Sequence, residues 1–291
     1  MKNPAGTSIW RIGVLSPPLL WLAAFFVFPF VIVFAISLVS ATDAQPPFAS
    51  PLDPTNLTFD NYRLLAEDSL YVASLGIAFR IAAISTFICL LIGYPMAYAI
   101  ARAAPSLRNV LLLLVMLPFW TSFLIRVYSW MILLRPTGLI NASLQSIGLI
   151  HEPLPLINNE FAVYLGIVYS YLPFMVLPLY AVLERMDVSL LEAAADLGCR
   201  PWRAFVSVTL PLSLPGVLAG SLLVFIPAVG EFVIPDLLGG PESPMIGHVL
   251  WTEFFNNRDW PAASAVAVSL LVVLIVPIVI FQALERREAA Q

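Results

Sequence analysis

Five long stretches of this chain contain no charged residue, and they constrain its fold more than any other feature. Each holds between 21 and 31 residues, whereas about 20 residues of helix cross the apolar core of a bilayer. They lie between Arg11 and Asp43, Arg80 and Arg102, Glu160 and Glu184, Arg203 and Glu231, and Asp259 and Glu285. The chain is also 60% hydrophobic and 11% charged, which is typical of an integral membrane protein.

A sixth apolar stretch, residues 110–134, carries a single charge, Arg126. Spanning segments should be helices, because lipid cannot satisfy exposed backbone groups and these stretches lack the alternation of a membrane barrel. We therefore expect an all-α membrane protein that forms one domain over residues 1–291. Its six spans are predicted at about 15–41, 70–101, 110–134, 161–183, 211–234 and 260–284.

The basic residues predict the orientation. With the N-terminus inside, the cytoplasmic parts hold nine Lys and Arg residues and the outer loops three, so both termini are expected in the cytoplasm. The first helix is too long for a cleaved signal and is expected to be retained. The outer loops carry eleven acids, a field that would concentrate cations. Loss of outer bases alone produces the same asymmetry, so a cationic substrate is only one explanation.

Residues 184–210 form the main cytoplasmic loop and contain signals for a short helix. Ser189 and Glu192 have the spacing of a capping box, and Gly198 lies where a helix end favours a left-handed residue. Two turns of helix are unstable alone in water. This helix should therefore pack on another protein or lie on lipid.

The same loop carries a longer pattern. Glu192-Ala193-Ala194 is followed after three residues by Gly198, and after nine more by Val208 and Leu210-Pro211. This resembles the E-A-A-x3-G-x9-I-x-L-P loop of permease subunits in binding-protein-dependent ABC importers, with Val208 in place of the favoured isoleucine. The resemblance covers nearly the whole chain. It implies the six-helix fold of a type I importer permease, whose cytoplasmic coupling helix docks on an ATPase.

The resemblance also implies partners and site residues. A second, different permease, two ATPases and a periplasmic binding protein would complete a transporter in the bacterial inner membrane. The residues expected to couple to the ATPase are Ser189, Glu192, Ala193, Ala194, Gly198, Leu210 and Pro211. Lys2 is the only lysine, so a G-x-x-x-x-G-K-[ST] phosphate loop is impossible here. ATP and Mg would bind the partner ATPases, and no cofactor is expected on this chain.

Other segments resemble permeases of bacterial polyamine importers, closest to the putrescine type. They are Phe225 to Pro235, Leu238-Gly239-Gly240-Pro241 and Arg258-Asp259-Trp260-Pro261, whereas Phe59-Asp-Asn61-Tyr62 and Gly138-Leu-Ile-Asn141 resemble the wider family of ABC importer permeases. Inward transport of putrescine is therefore expected, with an importer of another small solute as the alternative. A self-contained secondary transporter would need its own ion site and often an inverted repeat, neither of which is apparent. A membrane enzyme would need clustered acids, bases or metal ligands, and the spans of this chain show none. Nothing in the sequence indicates a nucleic-acid partner.

Two charges fall inside predicted spans, Arg126 and Glu231. A charge in hydrocarbon should face protein or water and have a partner. The two either pair with each other, or Glu231, with Asp236 beyond it, attracts the ammonium groups of a passing substrate. Trp120 and Tyr128 are candidate aromatic contacts for such a cation. The two histidines, in separate outer loops, have no ligand-spaced partners, so no metal site is expected.

Overall fold

The computed structural model describes residues 14–240 and 244–288, and regular secondary structure there is entirely helical. In this part of the chain, a single isolated antiparallel bridge joins Ala41 and Phe48. The predicted all-α fold is confirmed. Lys2 and Arg11 of the cytoplasmic bases, and Pro241 of a polyamine-permease segment, lie outside the described residues.

Most predicted spans correspond to one long helix each. In chain order, the helices are α1 Val14–Ser37, α2 Asp60–Glu67, α3 Ser69–Arg102, α4 Pro105–Met116, α5 Phe123–Leu134, α6 Leu139–Ser146, α7 Glu160–Arg185, α8 Ser189–Asp196, α9 Pro201–Val229, α10 Val233–Leu238, α11 Ile246–Trp251 and α12 Trp260–Glu288. Within the described residues, α1, α3, α7 and α9 are each long and apolar enough to cross a membrane. Segment Phe123–Ser146 is also long enough, but a turn at 135–138 divides it into α5 and α6.

The third predicted span is not one helix, so that prediction was wrong. Helix α4 passes into a 3₁₀ turn at Leu117–Trp120, and Thr121 is extended before α5 begins. Pro118 lies in the first turn of the 3₁₀ segment. Because proline has no N–H and its ring clashes with the preceding turn, a continuous α-helix is disfavoured there. The break places Phe119, on the turn, near the start of α5.

The bounds predicted for the fifth span, 211–234, were also wrong at both ends. Helix α9 begins ten residues earlier, at Pro201, because a π-helical turn at Phe205–Thr209 joins the cytoplasmic segment to the apolar one. It ends at Val229, where Gly230 follows as the cap. Glu231 therefore lies in the connection between α9 and α10, and not inside a spanning helix.

The chain divides into two compact units, and the first contains the described residues up to Val72 and those from Leu250 onward. Here α1 and α2 both pack against α12. The Asn61 amide donates to the carbonyls of Ser37, at 2.9 Å, and Val39, at 2.8 Å, and the Tyr62 hydroxyl lies 2.7 Å from Ser37 Oγ. These bonds tie α2 to the end of α1. The single domain expected over 1–291 stays a prediction.

The second unit runs from Ala73 to Val249, and its core lies between α3, α7 and α9. Small residues let α7 and α9 approach closely. A Cβ added at Gly220 would lie 2.8 Å from Met175 Sδ, and one at Gly216 would lie 3.1 Å from the Pro178 carbonyl oxygen. Close backbone approach at small residues is a common way for helices to associate in membranes.

The loop between α5 and α7 is organised around Asn141, which is fully buried. Its amide donates to the carbonyls of Arg135 and Leu154, at 3.3 and 3.0 Å, and its side-chain oxygen accepts from the Leu154 N–H at 2.8 Å. Helix α6 then ends at Gly148, whose φ of 72° is left-handed. Asn141 thus ties α6 to the chain on both sides of it.

Candidate coupling loop and membrane recess

The first turn of α8 is capped by Asp187, two residues before the helix. Its Oδ1 accepts the Ser189 N–H at 2.9 Å. Hydrogen bonds from the Ser189 backbone and then its side chain lower the pKa of the Asp187 carboxyl. The predicted capping box is not formed. Ser189 is the first residue of the helix rather than its cap, and Val188, which precedes it, has no side-chain capping bond. Ser189 and Glu192 instead lie exposed in the first turn.

The end of α8 is the one that the sequence predicts. Gly198 has a φ of 74°, its N–H donates to the Ala195 carbonyl at 2.8 Å, and the Cys199 N–H donates to the Ala194 carbonyl at 2.9 Å. These two bonds form a Schellman motif. Arg200 is extended, and Pro201 is the first residue of α9. The helix is therefore closed at both ends by local bonds.

Apolar side chains of this loop lie on its surface. Leu197 is 88% exposed and Trp202 is 73% exposed, and Leu190 is also exposed. The main neighbour of α8 is the first turn of α9. Three exposed apolar side chains so close together, on α8, just after it and at the start of α9, indicate an interaction surface. Residues 187–202 lie within the coupling loop that the sequence predicts at 184–210, and they are the part called the coupling loop below.

The remaining residues of the loop pattern lie elsewhere. Leu210 and Pro211 are in the middle of α9, after its π turn. The Leu210 carbonyl accepts a hydrogen bond from Ser213 at 3.0 Å, and Ser213 Oγ lies 2.8 Å from the Tyr94 hydroxyl of α3. The pattern thus spans two elements, the surface helix that includes Glu192, Ala193 and Ala194, and the exposed Leu210 and Pro211 of α9, one turn before the Ser213 contact with α3.

A recess of about 430 Å³ opens beside the ends of α9 and α5. Glu231, which is only 7% exposed, lies in its wall. Its carboxylate accepts the N–H groups of Val233 and Ile234, at 3.1 and 3.4 Å, and a hydrogen bond from the Tyr171 hydroxyl. The carboxylate therefore fixes the start of α10 and its contact with α7, and it still faces the recess.

Arg126 lines the same recess and is 9% exposed. Its Cζ lies 5.4 Å from the ring centre of Phe119 and 5.7 Å from that of Phe123. Within the described part of the chain, its Nε and Nη1 atoms have no hydrogen-bond partner. The ion pairs found there do not include one between Arg126 and Glu231. The direct pairing considered above is therefore not the arrangement in this structure.

The other predicted pathway residues do not line the recess. Asp236 is exposed on α10, and its Oδ1 lies 3.3 Å from Nε2 of His248. Trp120 is 82% exposed at the end of the 3₁₀ turn, and Tyr128 is 46% exposed on α5. The structure thus brings Glu231 together with Arg126 and not with these three.

Comparison with known proteins identifies the family. Residues 12–289 match the family described as binding-protein-dependent transport system inner membrane component. The chain belongs to this family. It is a multi-pass inner-membrane permease subunit of an ABC importer and not an enzyme. The predicted family resemblance is confirmed.

Relatives and solved structures agree with this assignment. The permease is 41% identical to the spermidine/putrescine transport system permease protein PotB of Haemophilus influenzae, over 90% of this chain and 89% of the relative. It is 39% identical to PotB of Escherichia coli K12, over 87% and 90%. A bacterial ABC transporter that imports the acidic polysaccharide alginate has the same fold, with a TM-score of 0.69, 18% identity and coverage of 98% and 99%. The type I importer permease fold is thus confirmed.

Sequence reasoning missed several residues that organise both sites of the permease. Asp187 had a signal, since an aspartate two residues before a helix commonly bonds its backbone. Tyr171 had none beyond its place among several aromatic residues of similar predicted depth. Phe119 and Phe123 read as ordinary apolar residues, because the break that places their rings beside Arg126 was not predicted.

Proposed function

We propose that this permease carries polyamines, with putrescine as the leading candidate, from the periplasm to the cytoplasm. One observation carries the proposal: relatives named for spermidine and putrescine transport are about 40% identical over most of both chains. The acidic outer loops fit a cationic substrate.

We further propose that the permease pairs with a second, different permease, two ATPases and a periplasmic binding protein. ATP and Mg would be held by the ATPases, since this chain has a single lysine and no phosphate loop. Both termini would lie in the cytoplasm, on the same side as the coupling loop. The exposed Leu197 and Trp202 support this loop as the surface that an ATPase covers.

Transport would then follow alternating access. Closure of the ATPases would move the coupling loop and bias the helices between two packings, one open to each side. The permease contributes passage and coupling, and it makes or breaks no bond. Ser189, Glu192, Ala193, Ala194 and Gly198 would contact the ATPase, and Leu210 and Pro211, which are exposed on α9, would complete this coupling surface.

On the substrate side, we propose that Glu231 receives an ammonium group in the recess. A carboxylate beside aromatic rings suits a cation, because the ring faces attract positive charge as well. Phe119, Phe123 and Phe174 line the same recess. Asp236, Trp120 and Tyr128 lie outside it and stay predictions for other steps of the path.

The test uses the complete transporter in proteoliposomes. ATP hydrolysis is measured with binding protein loaded with putrescine, spermidine or a neutral solute. Stimulation by a loaded amine, together with amine uptake, is expected. Stimulation by no amine would remove the substrate proposal and leave the importer assignment intact. ATP hydrolysis by the permease in the absence of any ATPase subunit would contradict the proposal that separate subunits hydrolyse ATP.

Glu231 is tested by Glu231→Gln in the same complex. The glutamine keeps the size of the side chain and can still accept hydrogen bonds, so the complex should assemble while amine uptake falls. Glu160→Gln is the matched control. Glu160 is the first residue of α7, lies outside the recess and pairs with Arg80. Equal uptake in the Glu231 variant and the wild type would exclude the role proposed for Glu231.

A further inference from the structure

The unexplained group in the recess is the cation, Arg126. The Arg126 side chain is only 9% exposed, and its Nε and Nη1 atoms have no hydrogen-bond partner among the described residues. Leaving a buried charged donor unsatisfied is costly, so such a group normally has a reason to be there. Glu231 lines the same recess but is bound to Tyr171 and to two backbone N–H groups instead.

The guanidinium group lies where a cationic ligand would be expected. It rests over Phe119 and Phe123 at 5.4 and 5.7 Å, within the distance at which cations are attracted by ring faces. A carboxylate can accept about four hydrogen bonds, and that of Glu231 accepts three, so one remains for a donor from the recess. The recess therefore offers aromatic faces and a carboxylate, and a residue of the protein already covers those faces.

We propose that Arg126 is the resident cation of this site, and that an ammonium group of the substrate displaces it. The inference rests on the proposed amine transport. The arginine lies over the rings and lines the same recess as Glu231, so it offsets the charge of that carboxylate. When a substrate ammonium binds at Glu231 and over the rings, the guanidinium moves aside. Arg126 thus lowers the affinity of the empty permease for free amines and is a specificity-determining residue.

The consequence is that neutralising Arg126 should strengthen amine binding. The experiment measures equilibrium binding of radiolabelled putrescine to the assembled transporter in nanodiscs, with no binding protein present. In Arg126→Gln, we expect putrescine to bind about tenfold more tightly than in the wild type, because a competing cation–aromatic interaction of ordinary strength has been removed. In R126Q/E231Q the gain should disappear, since the attracting carboxylate is gone.

Two further variants control the interpretation. Arg135→Gln removes an exposed arginine just after α5, outside the recess, and should leave putrescine binding unchanged. Arg126→Lys keeps the charge, but its compact ammonium cannot stack on two rings as a planar guanidinium does. Its affinity for putrescine should lie between those of the wild type and R126Q. Should R126Q not assemble, the comparison of R126K with the wild type decides.

The outcomes separate this inference from the proposed function. Unchanged or weaker putrescine binding in R126Q, or equal binding in R126K and the wild type when R126Q does not assemble, would overturn the role of Arg126. A tenfold gain that R135Q reproduces would overturn it as well, because overall charge would then explain the effect. The amine proposal itself is judged on the wild type alone, by stimulation of ATP hydrolysis with amine-loaded binding protein.

Discussion

Gly198→Ala should uncouple the permease from its ATPase with little change elsewhere. Gly198 has a φ of 74°, and a Cβ added there would meet nothing within 4 Å. The cost is therefore conformational, about 1 to 2 kcal/mol for an L-residue in the left-handed region. Helix α8 has eight residues and little packing to offset that cost. A free-energy difference of about 1.4 kcal/mol changes a dissociation constant tenfold, so the affinity for the ATPase should fall about 5- to 30-fold.

The chain contains a matched control for this variant. Gly148 has a φ of 72°, nothing within 4 Å of an added Cβ, and the same pair of bonds, from its own N–H to Gln145 and from the Leu149 N–H to Leu144. Gly148→Ala should therefore cost as much locally, at the end of α6, without affecting the ATPase. Gly198→Asn should retain most coupling, because asparagine tolerates this conformation.

The assay is binding of the purified ATPase to nanodisc-embedded permease complex, followed by stimulated ATP hydrolysis. Gly198→Ala should weaken binding, whereas Gly148→Ala should match the wild type. If both alanine variants bind the ATPase equally well, the left-handed end of α8 has no part in docking and the assignment of the coupling loop is wrong.

Three other outcomes are expected. Asp187→Ala should weaken ATPase binding, and Asp187→Asn should preserve it. The pKa of the wild-type Asp187 carboxyl lies below the usual 3.8, so the cap is fully present above pH 3.8 and is lost only as the pH falls through the lowered pKa. ATPase binding should therefore not change between pH 5 and 8. Gly220→Ala should lower the melting temperature of the complex, because the new Cβ would lie 2.8 Å from Met175 Sδ, while Gly76→Ala, with nothing within 4 Å, should not; equal melting temperatures would contradict the close packing of α7 and α9. Asn141→Ala should destabilise the permease by about 2 to 3 kcal/mol through three lost hydrogen bonds, measured by thermal unfolding against the exposed control Asn109→Ala.

Much of the fold could be predicted because charge-free length is a strong physical signal. Lipid excludes charges, so the C-terminal end of α3 and both ends of α7 fall within a few residues of the flanking charges at Arg102, Glu160 and Glu184. The break after α4 carried no such signal. A proline inside an apolar stretch is compatible with a kinked helix or a broken one, and neighbouring helices decide between them.

The site was harder to predict for the same reason. Gly198 was found because its backbone conformation is a local property of the chain. Asp187 and Ser189 are both residues that commonly cap a helix, and the sequence alone does not decide which of them does so here. The environment of Arg126 depends on Phe119, Tyr171 and Glu231, which three separate segments supply. Sequence order gives no distance between such residues.

Helix α9 joins the two sites without a break. It runs from Pro201 beside the coupling loop to Val229 beside the recess, and its 29 residues extend about 43 Å. If an ATPase tilts α9 at Trp202, as proposed above, the movement would therefore reach Gly230 through the helix itself, without a relay of side chains. The π turn at Phe205–Thr209 interrupts the regular hydrogen bonding of this helix, and Pro215 and Pro227 each remove a further backbone hydrogen bond, so these are the positions where α9 would bend if the movement were absorbed before it reached the recess.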